Sequence, residues 1–328
     1  MSETSTSTSQ TAVLRMEKLR VSFFTDAGEL KVVEDVSFDI KRGQAVALVG
    51  ESGCGKSVTA LAIMGLLDHP GRIVSGSLKF DGAELVASPT TVEQLRGRRI
   101  GMIFQEPMTS LNPVFTIGDQ IAEVLKRHLK LDTAAADAEV LRLLTVVGIP
   151  APERRLHQYP HELSGGMKQR AMIAIAIACK PDLLIADEPT TALDVTIQAQ
   201  ILELLRSLQQ QFGMAILLIT HNLGVVAHFA EEVVVMYAGH VCEHAPVQNL
   251  FRNPRHPYTQ ALLASLPNAL NRHSMLASIA GSVPSPLDFP DGCRFAGRCE
   301  HARAVCATEV PTTQTLDAHH KVACWLYE

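Results

Sequence analysis

The chain has 328 residues, of which 47% are hydrophobic and 19% charged, and its formal net charge is −5 at pH 7. The apolar fraction excludes wholesale disorder, and the length suggests about two domains. The acidic balance argues against broad electrostatic binding to nucleic acid or to anionic lipid.

Residues 1–12 are rich in Ser and Thr, and we expect them to be a disordered lead-in. They contain no basic region or apolar stretch, so they do not resemble a secretory signal. The longest apolar run, residues 171–179, has nine residues, against about twenty needed to span a bilayer. These features predict a cytoplasmic protein, whose seven cysteines should be thiols or metal ligands rather than disulfides.

Short apolar runs alternate with helical patterns in residues 13–250, which predicts an α/β domain with a largely parallel sheet. Four continuously apolar runs fit strands buried on both faces: residues 45–49, 183–186, 215–219 and 233–236. We interpret residues 91–160 as a helical subdomain inserted in this α/β core. Residues 251–328 are punctuated by prolines and show no strong strand, so we expect a second, small module with little core of its own.

Residues 50–57 read G-E-S-G-C-G-K-S and match the phosphate-loop pattern G-x-x-x-x-G-K-[ST]. The match follows a predicted strand and precedes a helical pattern, which is the context that the motif requires. Its glycines let backbone N–H groups surround phosphates, and the following helix points its positive end at them. Lys56 would reach the terminal phosphates, while the Ser57 hydroxyl would help to hold Mg²⁺. The predicted nucleotide-binding residues here are Gly50, Glu51, Ser52, Gly53, Cys54, Gly55, Lys56, Ser57 and Val58.

Two carboxylates, Asp187 and Glu188, stand at the end of an apolar strand. Open α/β sheets bind ligands at that edge, so Asp187 could hold Mg²⁺ through water and Glu188 could polarise an attacking water. His221 also follows an apolar strand, where it could bond the γ-phosphate or be a satisfied surface histidine. Gln105 follows a strand-like segment and is equally ambiguous alone.

Residues 163–167 read L-S-G-G-M and complete an ordered set with the phosphate loop, FQEP around Gln105, LLIADEP, and ITHN around His221. The set resembles the ATP-binding cassette (ABC) ATPases, whose signature is usually LSGGQ. The resemblance implies a P-loop ABC ATPase core that uses ATP and Mg²⁺, with Glu188, His221 and Gln105 as catalytic residues. It also implies that Ser57, Gln105 and Asp187 hold Mg²⁺.

In that family Ser164, Gly165 and Gly166 would bind the γ-phosphate of ATP held by a second ATPase subunit, in a head-to-tail dimer. Two glycines at a helix N-terminus expose the backbone donors that this needs. By the same resemblance Phe23 would stack on adenine. The neighbouring Phe24 is an alternative, and a core role is open for either ring.

Residues 253–263, N-P-R-H-P-Y-T-Q-A-L-L, resemble the extension of ATPases that serve peptide and nickel importers. The whole chain is similar to the first ATPase subunit of dipeptide permeases. The resemblance implies an ATPase driving import of dipeptides or short oligopeptides from the cytoplasmic face of the membrane. Its partners would be a second, non-identical ATPase, two permease subunits and an extracytoplasmic binding protein, with no nucleic acid.

Two other functions compete with peptide import. The first is the same role for nickel or another small solute. The second is a soluble ABC ATPase acting on nucleic acid or ribosomes, which the single cassette, the lack of heptads and the acidity disfavour. A GTPase is disfavoured because no N-K-x-D motif is present.

Four cysteines are spaced C-x5-C-x6-C-x17-C near the end of the chain: Cys293, Cys299, Cys306 and Cys324. Four thiols suggest an all-cysteine metal site. Zinc ribbons favour paired C-x2-C units, whereas scattered ligands suit an iron–sulfur cluster. Members of the resembled group carry this pattern, and some bind a [4Fe–4S] cluster there. We expect such a cluster in a C-terminal Cys-rich module, with zinc and plain thiols as alternatives.

Overall fold

The computed structural model describes residues 12–86, 89–191, 193–266, 279–317 and 319–328. The predicted lead-in lies outside these residues except for Ala12, which begins the first strand. The strands of the described part are β1 (Ala12–Thr25), β2 (Gly28–Lys41), β3 (Ala45–Val49), β4 (Gly71–Phe80), β5 (Ala83–Glu84), β6 (Ile100–Ile103), β7 (Leu183–Asp187), β8 (Ala215–Thr220), β9 (Glu232–Tyr237), β10 (His240–Pro246), β11 (Thr313–Asp317) and β12 (His320–Ala323).

The α-helices in those residues occupy the connections between strands. They are α1 (Lys56–Met64), α2 (Pro89–Leu95), α3 (Pro107–Ser110), α4 (Ile117–Leu129), α5 (Thr133–Val146), α6 (Pro152–Arg155), α7 (Gly165–Ile177), α8 (Val195–Phe212), α9 (Leu223–Phe229), α10 (Val247–Arg252), α11 (Pro257–Ala264) and α12 (Ala304–Thr308). No helix of the described residues is both long and apolar enough to cross a bilayer.

The strands form two sheets, a main sheet in the order β11-β12-β10-β9-β3-β8-β7-β6 and a smaller one in the order β2-β1-β4-β5. From β9 to β6 the main sheet is parallel, whereas the smaller sheet is antiparallel. The four apolar runs are strands β3, β7, β8 and β9, each within one residue of the predicted ends. The prediction of an α/β core with a parallel sheet is therefore confirmed.

Strand β7 shows why these runs are apolar throughout. Leu184 and Ala186 pack into a core shared with helices α4, α5, α7 and α8. Leu183 and Ile185 point the other way, into a core shared with α1 and the antiparallel sheet. A strand covered on both faces needs apolar side chains at every position.

The interval 91–160 contains strand β6 as well as helices, so the helical segment begins only after Ile103. Helix α4 begins where a capping box satisfies its first amides: Asp119 N–H donates to the Thr116 hydroxyl at 3.1 Å, and Thr116 N–H donates to the Asp119 carboxylate at 3.2 Å. Helix α4 packs on α5 and α7.

The expectation of no strong strand in the C-terminal extension, residues 251–328, overlooked two short strands. Strands β11 and β12 pair with each other, and β12 pairs with β10, with Val322 opposite Glu243, so the extension continues the main sheet. Both strands are short. Exposed residues alternate with half-buried ones in β11 and with buried ones in β12, so their mixed sequences lack the apolar runs of the central strands.

The extension is joined to the α/β core by a buried carboxylate. Glu243 has 0% of its surface exposed, and it accepts a hydrogen bond from Nε2 of His320 at 2.6 Å. Its other donors are the backbone N–H groups of Arg255 and His256, each at 2.8 Å. A buried carboxylate is tolerated only when it is bonded in this way, so Glu243 fixes where α11 and β12 lie.

Candidate functional site

The predicted nucleotide-site residues follow the carboxyl ends of adjacent parallel strands. Gly50 follows β3, Glu188 follows β7 and His221 follows β8, while Gln105 stands two residues beyond β6. Since these strands are neighbours in one sheet, their ends meet at one edge, where open α/β sheets bind ligands.

The phosphate loop turns from β3 into α1, which begins at Lys56. Gly50 has φ 153°, and a Cβ placed on it would lie 2.1 Å from the Met236 carbonyl oxygen, so only glycine fits. Lys56 is 5% exposed, and its ammonium donates to the carbonyls of Gly50 at 2.8 Å and Glu51 at 2.9 Å. The loop thus places a cation beside backbone donors at a helix N-terminus, which is a site for phosphate.

Ser57 and Asp187 lie close together beside this loop, where the Ser57 hydroxyl favours the ionised Asp187 carboxylate and so opposes the effect of burial. Asp187 is 4% exposed, and its Oδ1 has no hydrogen-bond partner among the described residues. Burial raises the pKa of the Asp187 carboxyl. A buried carboxylate oxygen without a partner beside a hydroxyl fits a hard cation such as Mg²⁺, for which oxygen ligands are preferred.

Glu188 gathers the other predicted catalytic side chains around its carboxylate. Nδ1 of His221 lies 3.0 Å from Oε1 of Glu188. Nε2 of Gln105 donates to Oε2 at 3.1 Å, and the Thr191 hydroxyl donates to the same oxygen at 2.8 Å. The structure therefore brings His221 and Gln105 to Glu188, although they are 33 and 83 residues away from it in the sequence, respectively.

The environment of Glu188 favours an ionised carboxylate. Burial opposes its ionisation, but hydrogen bonds from His221 and Thr191 outweigh that effect and lower the pKa of Glu188. Its backbone has φ 45°, a left-handed conformation that non-glycine residues adopt rarely. Such strain is concentrated at functional sites, where the surrounding structure holds it. Here the Glu188 N–H donates to the Ile219 carbonyl at 2.9 Å, across to β8.

The signature segment forms the start of helix α7. Ser164 is its N-cap, with no side-chain capping bond, and both Ser164 and Gly165 are exposed. With Gly166 they line a surface cavity of about 390 Å³, whose described lining includes Asp194 and no phosphate-loop residue. The signature segment thus lies at a surface cavity that the phosphate loop of its own chain does not line.

The two candidate aromatic rings differ in their surroundings. Phe23 is half-buried and packs against the core of the antiparallel sheet. Phe24 is 38% exposed, and the Arg72 guanidinium lies 4.1 Å from its ring centroid. Neither arrangement decides between them, so stacking of Phe23 on adenine stays a prediction.

The four C-terminal cysteines line one small cavity of about 20 Å³. Burial raises the pKa of the Cys293 thiol to about 11, and it also raises the pKa of Cys299 and Cys324. Within the described ranges, no three His, Cys, Asp or Glu side chains meet the spacing of a single metal-ion site. The thiols therefore converge on one cavity without forming a site for one ion.

Residues outside the motifs, which the sequence does not single out, also hold the site in place. The buried Gln169 of α7 donates to the Pro189 carbonyl at 2.6 Å, which ties the signature helix to the turn after Glu188. Tyr258 lies in the C-terminal extension, yet its hydroxyl accepts a hydrogen bond from the Glu51 N–H at 2.9 Å. Its place in the H-P-Y-T segment was the available signal.

Comparisons with known protein sequences identify the family. The ABC transporter family profile matches residues 33–191, and a profile for the oligopeptide/dipeptide transporter C-terminal region matches residues 242–306. The chain is 50% identical to the Bacillus subtilis oligopeptide transport ATP-binding protein AppD, over 96% of this chain and 97% of that protein. It is 49% identical to the Escherichia coli dipeptide transport ATP-binding protein DppD, over 95% and 96%.

Solved structures of similar fold are also components of ABC transporters. The ATP-binding cassette MJ0796, solved as a dimer bound to ADP and Pi, has a TM-score of 0.64 and 25% identity, covering 71% of this chain and 98% of its own. The cbiO1 protein from Clostridium perfringens, part of the transporter complex cbiONQ, has a TM-score of 0.63 and 27% identity, covering 74% and 91%. The chain belongs to the ABC transporter ATP-binding family, in the group with the oligopeptide/dipeptide transporter C-terminal region.

Proposed function

We propose that this chain hydrolyses ATP to drive import of dipeptides or short oligopeptides through a multi-subunit ABC permease. The proposed cargo is supported by the similarity of nearly the whole chain to proteins named for dipeptide and oligopeptide transport. The match of residues 242–306 to the transporter C-terminal region supports the same class of cargo.

In the proposed reaction Glu188 polarises the water that attacks the γ-phosphate. Its lowered pKa keeps the carboxylate ionised, which is the form that can accept a hydrogen bond or a proton from water. His221 and Thr191 hold that carboxylate in place through the bonds described above. Lys56 and those amides of residues 50–58 that are not bonded within the protein bind the phosphates. A Mg²⁺ ion bound by Ser57, Asp187 and Gln105 would neutralise charge on the β- and γ-phosphates.

The site is proposed to be completed by a second subunit. Ser164, Gly165 and Gly166 expose their donors on a face without the chain's own phosphate loop, as a head-to-tail dimer requires. The dimer of the similar MJ0796 cassette supports this arrangement. We propose a second, non-identical ATPase as the partner, together with two permease subunits and an extracytoplasmic binding protein. The chain would then lie peripherally at the cytoplasmic face of the membrane.

We further propose that the C-terminal extension is a Cys-rich module that holds a [4Fe–4S] cluster on Cys293, Cys299, Cys306 and Cys324. Four soft thiols around one cavity are the ligand set that such a cluster uses. In a cluster each thiolate binds a different iron, so the ligands need not meet at a single point, as they must around zinc. Burial raises the pKa of the Cys293, Cys299 and Cys324 thiols, so binding would release protons.

Glu188→Gln should abolish turnover but retain ATP binding. The amide cannot accept a proton from water, so ATP hydrolysis by the assembled complex should fall by a factor of about 10²–10⁴, with nucleotide affinity almost unchanged. The exposed Glu203 of α8 offers a matched control, since Glu203→Gln should leave hydrolysis unaltered. Undiminished steady-state hydrolysis in the Glu188→Gln complex would contradict the assignment.

The transport assignment is tested by purification from membranes and by uptake. Two integral-membrane proteins and a second ATPase should co-purify with the chain, and vesicles with the complex should take up a labelled dipeptide when ATP is supplied. The isolated chain should hydrolyse ATP at least about tenfold more slowly than the complex, because it lacks donors from the partner. ATP-driven uptake of nickel without dipeptide would refute the cargo, and full activity in the isolated monomer would refute the shared site.

Protein purified without oxygen should be brown and contain about four irons and four sulfides per chain. Cys306→Ser should lower the iron content and increase proteolysis of the extension, because metal binding energy becomes folding energy. Cys179→Ser is the control, since Cys179 lies outside the cavity and should keep the iron. Stoichiometric zinc without iron would make this a zinc site, and an unchanged metal content in Cys306→Ser would reject the four-cysteine site.

A further inference from the structure

Glu51 belongs to the phosphate loop, directly after Gly50, yet the C-terminal extension holds it at two points. Its backbone N–H donates to the hydroxyl of Tyr258 at 2.9 Å. Its carboxylate pairs with the Arg298 guanidinium. These contacts join positions that are 207 and 247 residues apart in the chain.

The pair between Glu51 and Arg298 has the geometry of a strong ion pair. Nη1 of Arg298 lies 2.8 Å from Oε2, and Nη2 lies 3.1 Å from Oε1, so the contact is bidentate. The Arg298 side chain is only 8% exposed and that of Glu51 is 29% exposed. Exposed pairs contribute little, but this pair is largely removed from water and is screened less.

The surroundings of Arg298 fix its direction. Its Nη1 also donates to the Tyr237 hydroxyl at 3.2 Å, and its Nε donates to the Ala280 carbonyl at 2.8 Å. Tyr237 ends strand β9, the parallel neighbour of β3, from which the phosphate loop starts. The ring of Tyr237 lies 4.7 Å from that of Tyr258 and 5.1 Å from that of Phe295, so one aromatic cluster supports both contacts to Glu51.

Arg298 lies in a segment bounded by two of the four clustered cysteines. Cys293 begins this segment, where its N–H donates to the Cys306 carbonyl at 2.8 Å. Cys299 ends it, directly after Arg298, and all three cysteines line the same cavity. A metal group bound there would hold the segment at both ends.

We propose that Arg298 and Tyr258 are positioning residues for the phosphate loop, through which the C-terminal extension sets the affinity for ATP. Arg298 neutralises the Glu51 carboxylate and turns it toward the extension, so that it does not repel the polyphosphate. Tyr258 fixes the backbone at Glu51, so the loop is ordered before the nucleotide arrives. This inference rests on the ATP site and is independent of the cargo.

The test measures the affinity of the full-length chain, purified without oxygen, for a fluorescent ATP analogue and for the matching ADP analogue. Arg298→Met keeps the aliphatic stem but leaves Glu51 charged and unpaired, so ATP should bind about tenfold more weakly, equivalent to about 1.4 kcal/mol. The affinity for ADP should fall less than the affinity for ATP, because ADP carries less negative charge. Tyr258→Phe removes only the hydroxyl, and we expect a loss of about threefold.

The decisive variant is Glu51→Gln combined with Arg298→Met. It removes the unpaired charge, so ATP affinity should return to within about twofold of the wild type. A general disruption of the extension would give no such recovery. Arg142→Ala is the matched control, because it removes a bidentate pair with Glu139 inside helix α5 and should leave nucleotide affinity unchanged.

Metal content and urea unfolding, followed by the fluorescence of the single tryptophan, Trp325, show whether each variant is intact. If Arg298→Met is not intact, Glu51→Asp replaces it, since its shorter side chain leaves a charge in the loop and should weaken ATP binding about threefold. Unchanged ATP affinity in the intact variant would overturn the proposal. Equally weak ATP binding by Arg298→Met and by the double variant would also overturn it.

Discussion

The alignment of adjacent parallel strands is the constraint on which the whole site depends. Val49 of β3 lies opposite Thr220 of β8, and Ile219 lies opposite Asp187 of β7. One register therefore brings the phosphate loop, the acidic pair and His221 to one edge of the sheet. A shift of one residue would turn each buried side chain to the other face and would expose apolar positions of both cores.

Two neighbouring carboxylates in this edge acquire opposite properties from their surroundings. Burial without a partner for Oδ1 raises the pKa of Asp187, whereas hydrogen bonds lower the pKa of Glu188 against the effect of burial. The first arrangement suits a cation ligand and the second suits a base for water. Different surroundings thus allow two adjacent carboxylates to have different roles in one site. Glu51 of the phosphate loop also contacts the C-terminal extension. It therefore connects the α/β core to an extension of different amino-acid composition.

Local patterns predicted those features whose cause is local. Strands β3, β7, β8 and β9 were predictable because burial on both faces requires continuous apolar runs, and the phosphate loop because its geometry requires glycines at fixed spacing. Strands β11 and β12 were not predictable, since a strand at the edge of a sheet needs few apolar residues. The contacts of Glu51 with Tyr258 and Arg298 depend on how distant segments pack, so the spacing of residues within a short segment could not predict them. Likewise, the left-handed backbone of Glu188 and its hydrogen bond to Ile219 of β8 have no signal in the local sequence.

The most direct test of the account is a crystal structure of the chain with Mn²⁺ and a non-hydrolysable ATP analogue, with Mn²⁺ located by its anomalous scattering. The account predicts a Mn²⁺ ion between the Ser57 hydroxyl and the Asp187 carboxylate, about 2.0–2.5 Å from the Ser57 oxygen. The β- and γ-phosphates should lie on the amides that follow Gly50, beside the Lys56 ammonium. A manganese ion bound away from Ser57 and Asp187, or a nucleotide bound away from the carboxyl edge of the parallel strands, would contradict it.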